Sequence, residues 1–208
     1  KKIADQGNHE IYLESNYQYY GLFDVLDKVF ENYRAVYIIR DPRDHVRSWM
    51  NKKCLYNWAD IHGWDNKRLE PSDTENQAFT RRWSDFSQFQ KVAWMWNTVN
   101  SNIILDVKDR PGQKTVLFED IFLRKDNVRE FVTMTKFLTS FENKNFEHPS
   151  FGDTEKFLGQ KMNKSNKTFF PHWTEWTNEQ AKELHSLCGS LMQKFGYGKE
   201  DEWLEKLK

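Results

Sequence analysis

The sequence predicts an α/β fold with a central parallel sheet flanked by helices. Two observations predict it. Residues 35–40, AVYIIR, and 114–119, KTVLFE, are short runs with little polar alternation, the pattern of strands covered on both faces. Segments of helical periodicity stand before, between and after them, and strands alternating with helices give an α/β layer architecture.

Each element has its own signal. EIYLE, residues 10–14, reads as a short strand. GLFDVLDKVFENY, residues 21–33, places Leu22, Val25, Leu26 and Val29 on one helical stripe, which Phe23 and Phe30 widen. Asp41 and Pro42 open a helix through about Lys53, with Pro42 at or near the first position, where its missing N–H costs nothing. Residues 54–75 are polar and irregular. A long helix or helix pair is expected over 75–106, with Trp83, Phe86, Phe89, Val92, Ala93 and Trp96 on its apolar face. Residues 127–139 read as another helix and 141–172 as loop. The last helix, 177–198, has Thr177 as cap, Gln180 completing a capping box, and Gly196 at its end.

At 208 residues the chain is long enough for one domain with a real core. Hydrophobic residues make up 38% and charged residues 30%, a globular balance. The 31 basic residues match the 31 acidic ones, so no general field draws the chain to nucleic acid or to an anionic membrane. Any anion site is therefore local. Two cysteines, Cys54 and Cys188, with no CxxC pattern and no HExxH among six histidines, argue against a disulfide scaffold and against a zinc site. No apolar run reaches the length of a membrane span, and no signal peptide is visible, so the expected compartment is the cytoplasm.

The segment VYIIRDPRDHVRSWM, residues 36–50, carries the chemistry. Ligands of parallel α/β sheets bind at the carboxyl ends of strands. Arg40 ends one strand, the helix opening at Pro42 directs free N–H groups to the same edge, and Ser48 adds a hydroxyl. A guanidinium fork with a hydroxyl suits a phosphate. The bland reading pairs Arg40 with Asp41 or Asp44 and leaves Ser48 solvated.

RDPRDHVRSW resembles the 3′-phosphate-binding motif of the sulfotransferases that use 3′-phosphoadenosine 5′-phosphosulfate (PAPS). In that family an arginine at a strand end and a serine eight residues later grip the 3′-phosphate, as Arg40 and Ser48 are spaced here. KTVLFEDIF is similar to the family's strand ending in an aromatic-Glu-Asp sequence. The segment from HWTEW to GYG is similar to the family's C-terminal Trp, helix and Gly-Tyr. YLESNYQYYGLFDVL resembles the segment before the phosphate motif. The likeness runs over residues 10–198.

The resemblance implies a P-loop-NTPase-like sulfotransferase fold and transfer of a sulfuryl group from PAPS to the hydroxyl of a glycan or other small molecule, giving 3′-phosphoadenosine 5′-phosphate (PAP), without a metal. Glu14, at the end of the strand expected at 10–14, is the candidate base for the acceptor hydroxyl. Residues 157–170 carry Lys161, Lys164 and Lys167 and no acid, in the place of the family's basic loop over the nucleotide. Lys164 and Lys167 are the candidate contacts, and Trp173 follows to stack on a base or to pin the loop. Residues 54–75 are candidates for an acceptor pocket.

One part of the family pattern is missing. No Gly- and Ser/Thr-rich phosphosulfate loop and no GxxxxGK[ST] pattern occurs in the sequence. The reading favoured is the C-terminal portion of a longer single domain lacking its first βα unit, unstable or inactive alone. The alternative is a non-catalytic relative that binds a nucleotide or glycan.

Overall fold

The structure, a computed structural model, describes residues 12–15, 21–51, 69–74, 78–108, 110–140, 150–160 and 169–208. They are mostly helical, with one two-stranded parallel sheet, an α/β composition. They fall into two compact units, Lys1–Ile39 with Asn102–Met162, and Arg40–Ser101 with Asn163–Lys208.

In the first unit, β1 (Ala35–Ile39) pairs in parallel with β2 (Gln113–Leu117), in a register that sets Ala35 against Gln113 and Ile39 against Leu117. The turn into β2 uses Pro111 and Gly112. Gly112 has φ +79° and its carbonyl accepts from Ala35 N–H at 3.1 Å. A Cβ there would stand 3.2 Å from the Tyr33 carbonyl, so glycine suits the position on both counts. Helix α1 (Phe23–Val29) is tied down by Arg110, which forms ion pairs with Asp24 and Asp27, while Tyr33 donates to Asp27 at 2.6 Å. Helices α4 (Phe118–Phe122), α5 (Asn127–Thr139) and α6 (Phe151–Leu158) continue the unit. Rings of Phe118, Phe122, Phe131 and Phe157 form a relay with centroids 4.6–6.4 Å apart.

The second unit holds α2 (Pro42–Asn51), a 3-10 turn Thr80–Asp85, the first part of α3 (Gln88–Val107), a 3-10 turn Trp173–Glu175, α7 (Asn178–Lys194) and α8 (Asp201–Lys206). Its core is Val46, Phe89, Val92, Ala93, Trp94, Trp96, Trp176, Ala181, Leu184, Cys188, Met192 and Trp203, all at most 5% exposed. The aromatic stripe of α3 is therefore core packing. Helix α7 starts on the expected box: Gln180 N–H donates to Thr177 Oγ1 at 3.2 Å and Thr177 N–H to Gln180 Oε1 at 3.0 Å. It ends at Lys194, and the chain turns away at Gly196, φ +85°.

Four expectations need correction. Residues 12–14 do not continue a strand; Tyr12 and Leu13 are about half exposed, at 46% and 59%, so no second layer covers them. Residues 10 and 11 lie outside the described ones. The strand at 114–119 stops at Leu117, because Glu119 and Asp120 favour the first turn of α4, where helix N–H groups are free. The expected loop 141–172 contains α6, started by Ser150, whose hydroxyl accepts Asp153 N–H at 3.1 Å. Finally, β1 is not covered on both faces: Ile39 is fully buried but Ile38 is 40% exposed.

Candidate functional site

The chain leaves β1 at Ile39 and starts α2 at Pro42, with Arg40 and Asp41 between them. Asp41 is the cap. Its carbonyl accepts His45 N–H at 2.9 Å and its Oδ1 accepts Arg43 N–H at 2.8 Å. Pro42 has no N–H to leave unmatched. Of the first-turn donors that an anion would use, only Asp44 N–H remains, and the Asp41 carboxylate already sits at the positive end of the helix. The helix start is thus self-capped, and the part expected of its N–H groups in holding a phosphate is largely taken by Asp41.

Arg43 locks this start in place. It is 2% exposed. Its Nε and Nη2 meet the Asp41 carboxylate at 2.6–3.1 Å, and Nη1 and Nη2 meet Glu200 at 2.9 and 2.8 Å. The guanidinium carbon lies 4.3 Å from the Trp173 ring centroid and 5.1 Å from that of Trp203. Two carboxylates and two indoles thus satisfy the cation. The paired acids hold the guanidinium strongly protonated, and Arg43 holds the Glu200 carboxyl below its usual range. Burial pushes the Asp41 carboxyl up, against the pull of its bonds to Arg43.

Arg40 is half-buried, and its backbone carbonyl accepts from Trp96 Nε1 at 3.0 Å. Trp96 is itself 2% exposed, so a core residue of α3 fixes the Arg40 backbone. Ser48 is half-buried on α2, six residues beyond Pro42 and so about 9 Å further along the axis. Three residues later Asn51 donates to the carbonyls of Arg47 (2.9 Å) and Phe170 (3.1 Å) and accepts the N–H groups of Phe169 and Phe170. That clamp fastens Phe169–Phe170 to the end of the helix that carries Ser48.

Among the candidate residues, Arg40, Ser48 and Trp173 belong to one compact unit, and Glu14 belongs to the other. Trp173 offers a ring face to Arg43 and an edge contact to Trp203, with centroids 5.8 Å apart. Its established partners are therefore protein groups. Glu14 is exposed and accepts from Tyr12 Oη at 2.9 Å. Lys164, Lys167 and residues 54–68 lie outside the described residues.

Sequence reasoning missed Arg43, Glu200 and Asn51. Asp41-Pro42 signals a cap. Nothing local links Arg43 to a carboxylate 157 positions away.

Among the described residues no group of His, Cys, Asp and Glu is placed to hold a metal, and no helix is long and apolar enough to cross a membrane. Comparison with family models, curated proteins and solved structures found no match for this chain.

Proposed function

We propose that this chain carries the 3′-phosphate-binding part of a PAPS-dependent sulfotransferase of P-loop-NTPase-like fold. The observation that carries the reading is the path from the parallel strand β1 through Arg40 to the capped helix α2 with Ser48 on it. Trp96 fixes the Arg40 backbone from one side, and the Arg43–Asp41–Glu200 triad fixes the helix start. An arginine on a fixed backbone and a hydroxyl on a helix suit a phosphate.

In this reading Arg40 and Ser48 grip the 3′-phosphate, and Lys164 and Lys167 add charge from the basic segment. Trp173 acts through Arg43. Glu14 takes the proton of the acceptor hydroxyl as its oxygen bonds to sulfur, while the sulfur–oxygen bond to the 5′-phosphate breaks and PAP leaves. The acceptor is a glycan or another small molecule with a hydroxyl.

Incubating the full-length protein with radiolabelled PAPS and a panel of hydroxyl-bearing glycans and small molecules tests the proposal. Labelled acceptor and PAP are expected, with turnover lost in Arg40→Ala. Tight PAPS binding without transfer would favour the non-catalytic alternative. A folded protein that binds no PAPS would end both readings.

A further inference from the structure

The self-capped start of α2 leaves a charge problem for any phosphate held there. A phosphate monoester carries close to two negative charges at neutral pH. Arg43, the nearest cation within α2, is fully engaged by Asp41 and Glu200. Around the helix start, Arg40, Arg43 and Arg47 are matched in number by Asp41, Asp44 and Glu200. Without Arg47 the cluster is net negative and repels a phosphate.

Arg47 has the properties the site lacks. It immediately precedes Ser48 and is half-buried. Its Nε is shielded from solvent and meets no hydrogen-bond acceptor among the described residues. No hydrogen bond or ion pair joins its guanidinium to Asp44, one turn back, or to any other described residue. Its backbone is held, because the Arg47 carbonyl accepts from Asn51 Nδ2 at 2.9 Å. A shielded arginine donor without an acceptor is costly in a finished structure, and an anionic ligand removes that cost.

We infer that Arg47 is a second cationic ligand of the 3′-phosphate, acting with Arg40 and Ser48 and setting the preference for a 3′-phosphorylated nucleotide. This inference rests on the sulfotransferase reading and adds a residue to its donor site. Arg47 neutralises the second phosphate charge that neither Arg40 nor the self-capped helix start can offset.

The test is calorimetric titration of PAP and of 5′-AMP into wild type, Arg47→Ala and Arg47→Lys, with thermal melting of each. Arg47→Ala is expected to weaken PAP about ten- to hundredfold, the worth of one charged hydrogen-bonded contact. Its 5′-AMP binding and melting temperature should stay close to wild type, since its guanidinium has no hydrogen-bond or ion-pair partner among the described residues. Arg47→Lys should recover part of the PAP affinity, as the charge returns without the fork. If Arg47→Ala keeps the full PAP preference, or loses PAP and 5′-AMP equally, the inference is wrong while the donor site stands. A folded wild type with no preference for PAP removes the donor site and Arg47's role together. If Arg47→Ala does not fold, Arg47→Lys decides: an undiminished PAP preference overturns the inference, and a reduced one supports it.

Discussion

Arg43 and Glu200, 157 residues apart, meet fork to fork, Nη1 to Oε2 at 2.9 Å and Nη2 to Oε1 at 2.8 Å. The pair joins the first turn of α2 to the residue that precedes α8. Asp41 takes the other edge of the same guanidinium at 2.6 Å. The two carboxylates are not equivalent: the Asp41 side chain is 9% exposed and that of Glu200 46%. Asp41→Ala should therefore destabilise the fold by about 3 kcal/mol, losing a helix cap and leaving a buried cation half-paired. Glu200→Ala should cost about 1 kcal/mol, because water replaces part of what is lost. Urea midpoints of the two variants check the order, and equal losses would contradict this account of the triad.

The same pair sets a pH dependence. Arg43 holds the Glu200 carboxyl below its ordinary value of 4.5. A carboxyl with a lowered folded pKa contributes stability that is present above its unfolded value and is lost as pH falls through the folded one. Asp41 is shifted upward and contributes with the opposite sign, its share being lost as pH rises through its folded value. Wild type and Glu200→Gln share Asp41, so the difference between them isolates Glu200. Wild type should be the more stable at pH 6, and its advantage should shrink as pH drops below about 4.5. Melting temperatures of both proteins across that range provide the check, and a constant gap would refute the linkage.

Asn51 makes a local clamp of four hydrogen bonds. Asn51→Ala should release Phe169 and Phe170 from α2. Amide exchange at these two residues should accelerate by about tenfold or more, with a global loss of about 1–2 kcal/mol. Asn51→Asp keeps the acceptor but removes the donor, so it should protect the two amides while leaving the Phe170 carbonyl unbonded. Unchanged exchange in Asn51→Ala would remove the clamp from the account.

Gly198 has φ +74°, and a Cβ there would stand 2.7 Å from Met192 Cε and 3.2 Å from Trp203. Gly198→Ala should lower stability by about 1–3 kcal/mol through backbone strain together with crowding of a fully buried indole. A melting temperature equal to wild type would show that this turn relaxes.

Local signals were legible in the sequence. The boundaries of α5, the Thr177–Gln180 box of α7, the Asp41-Pro42 start of α2 and the strand runs expected at 35–40 and 114–119, which the structure sets at 35–39 and 113–117, all rest on neighbours a few positions apart. Even the break in the expected 75–106 helix has a local cause, the Ser87–Gln90 box that starts α3. Helix α6 is hidden in the sequence because Pro149, Gly152 and Gly159 read as loop signals around the Ser150 cap. Helix α8 was missed because it is six residues long and buries only Trp203. For the site, Ser48 lies on the helix expected to carry it, whereas Arg40 follows β1 directly instead of ending it. What the motif did not convey is the use of Asp41 and Arg43 to build the helix start, since their partners Glu200, Trp173 and Trp203 are distant in sequence and chosen by packing.

The most direct measurement is the affinity of the folded protein for PAP against 5′-AMP, in wild type and in Arg40→Ala. The two nucleotides differ only in the 3′-phosphate, so the ratio isolates the proposed contact. The account predicts that wild type prefers PAP by about tenfold or more, and that Arg40→Ala, in its folded form, loses the preference. Equal affinity for the two nucleotides in a folded wild type, or a preference that survives Arg40→Ala, would contradict it.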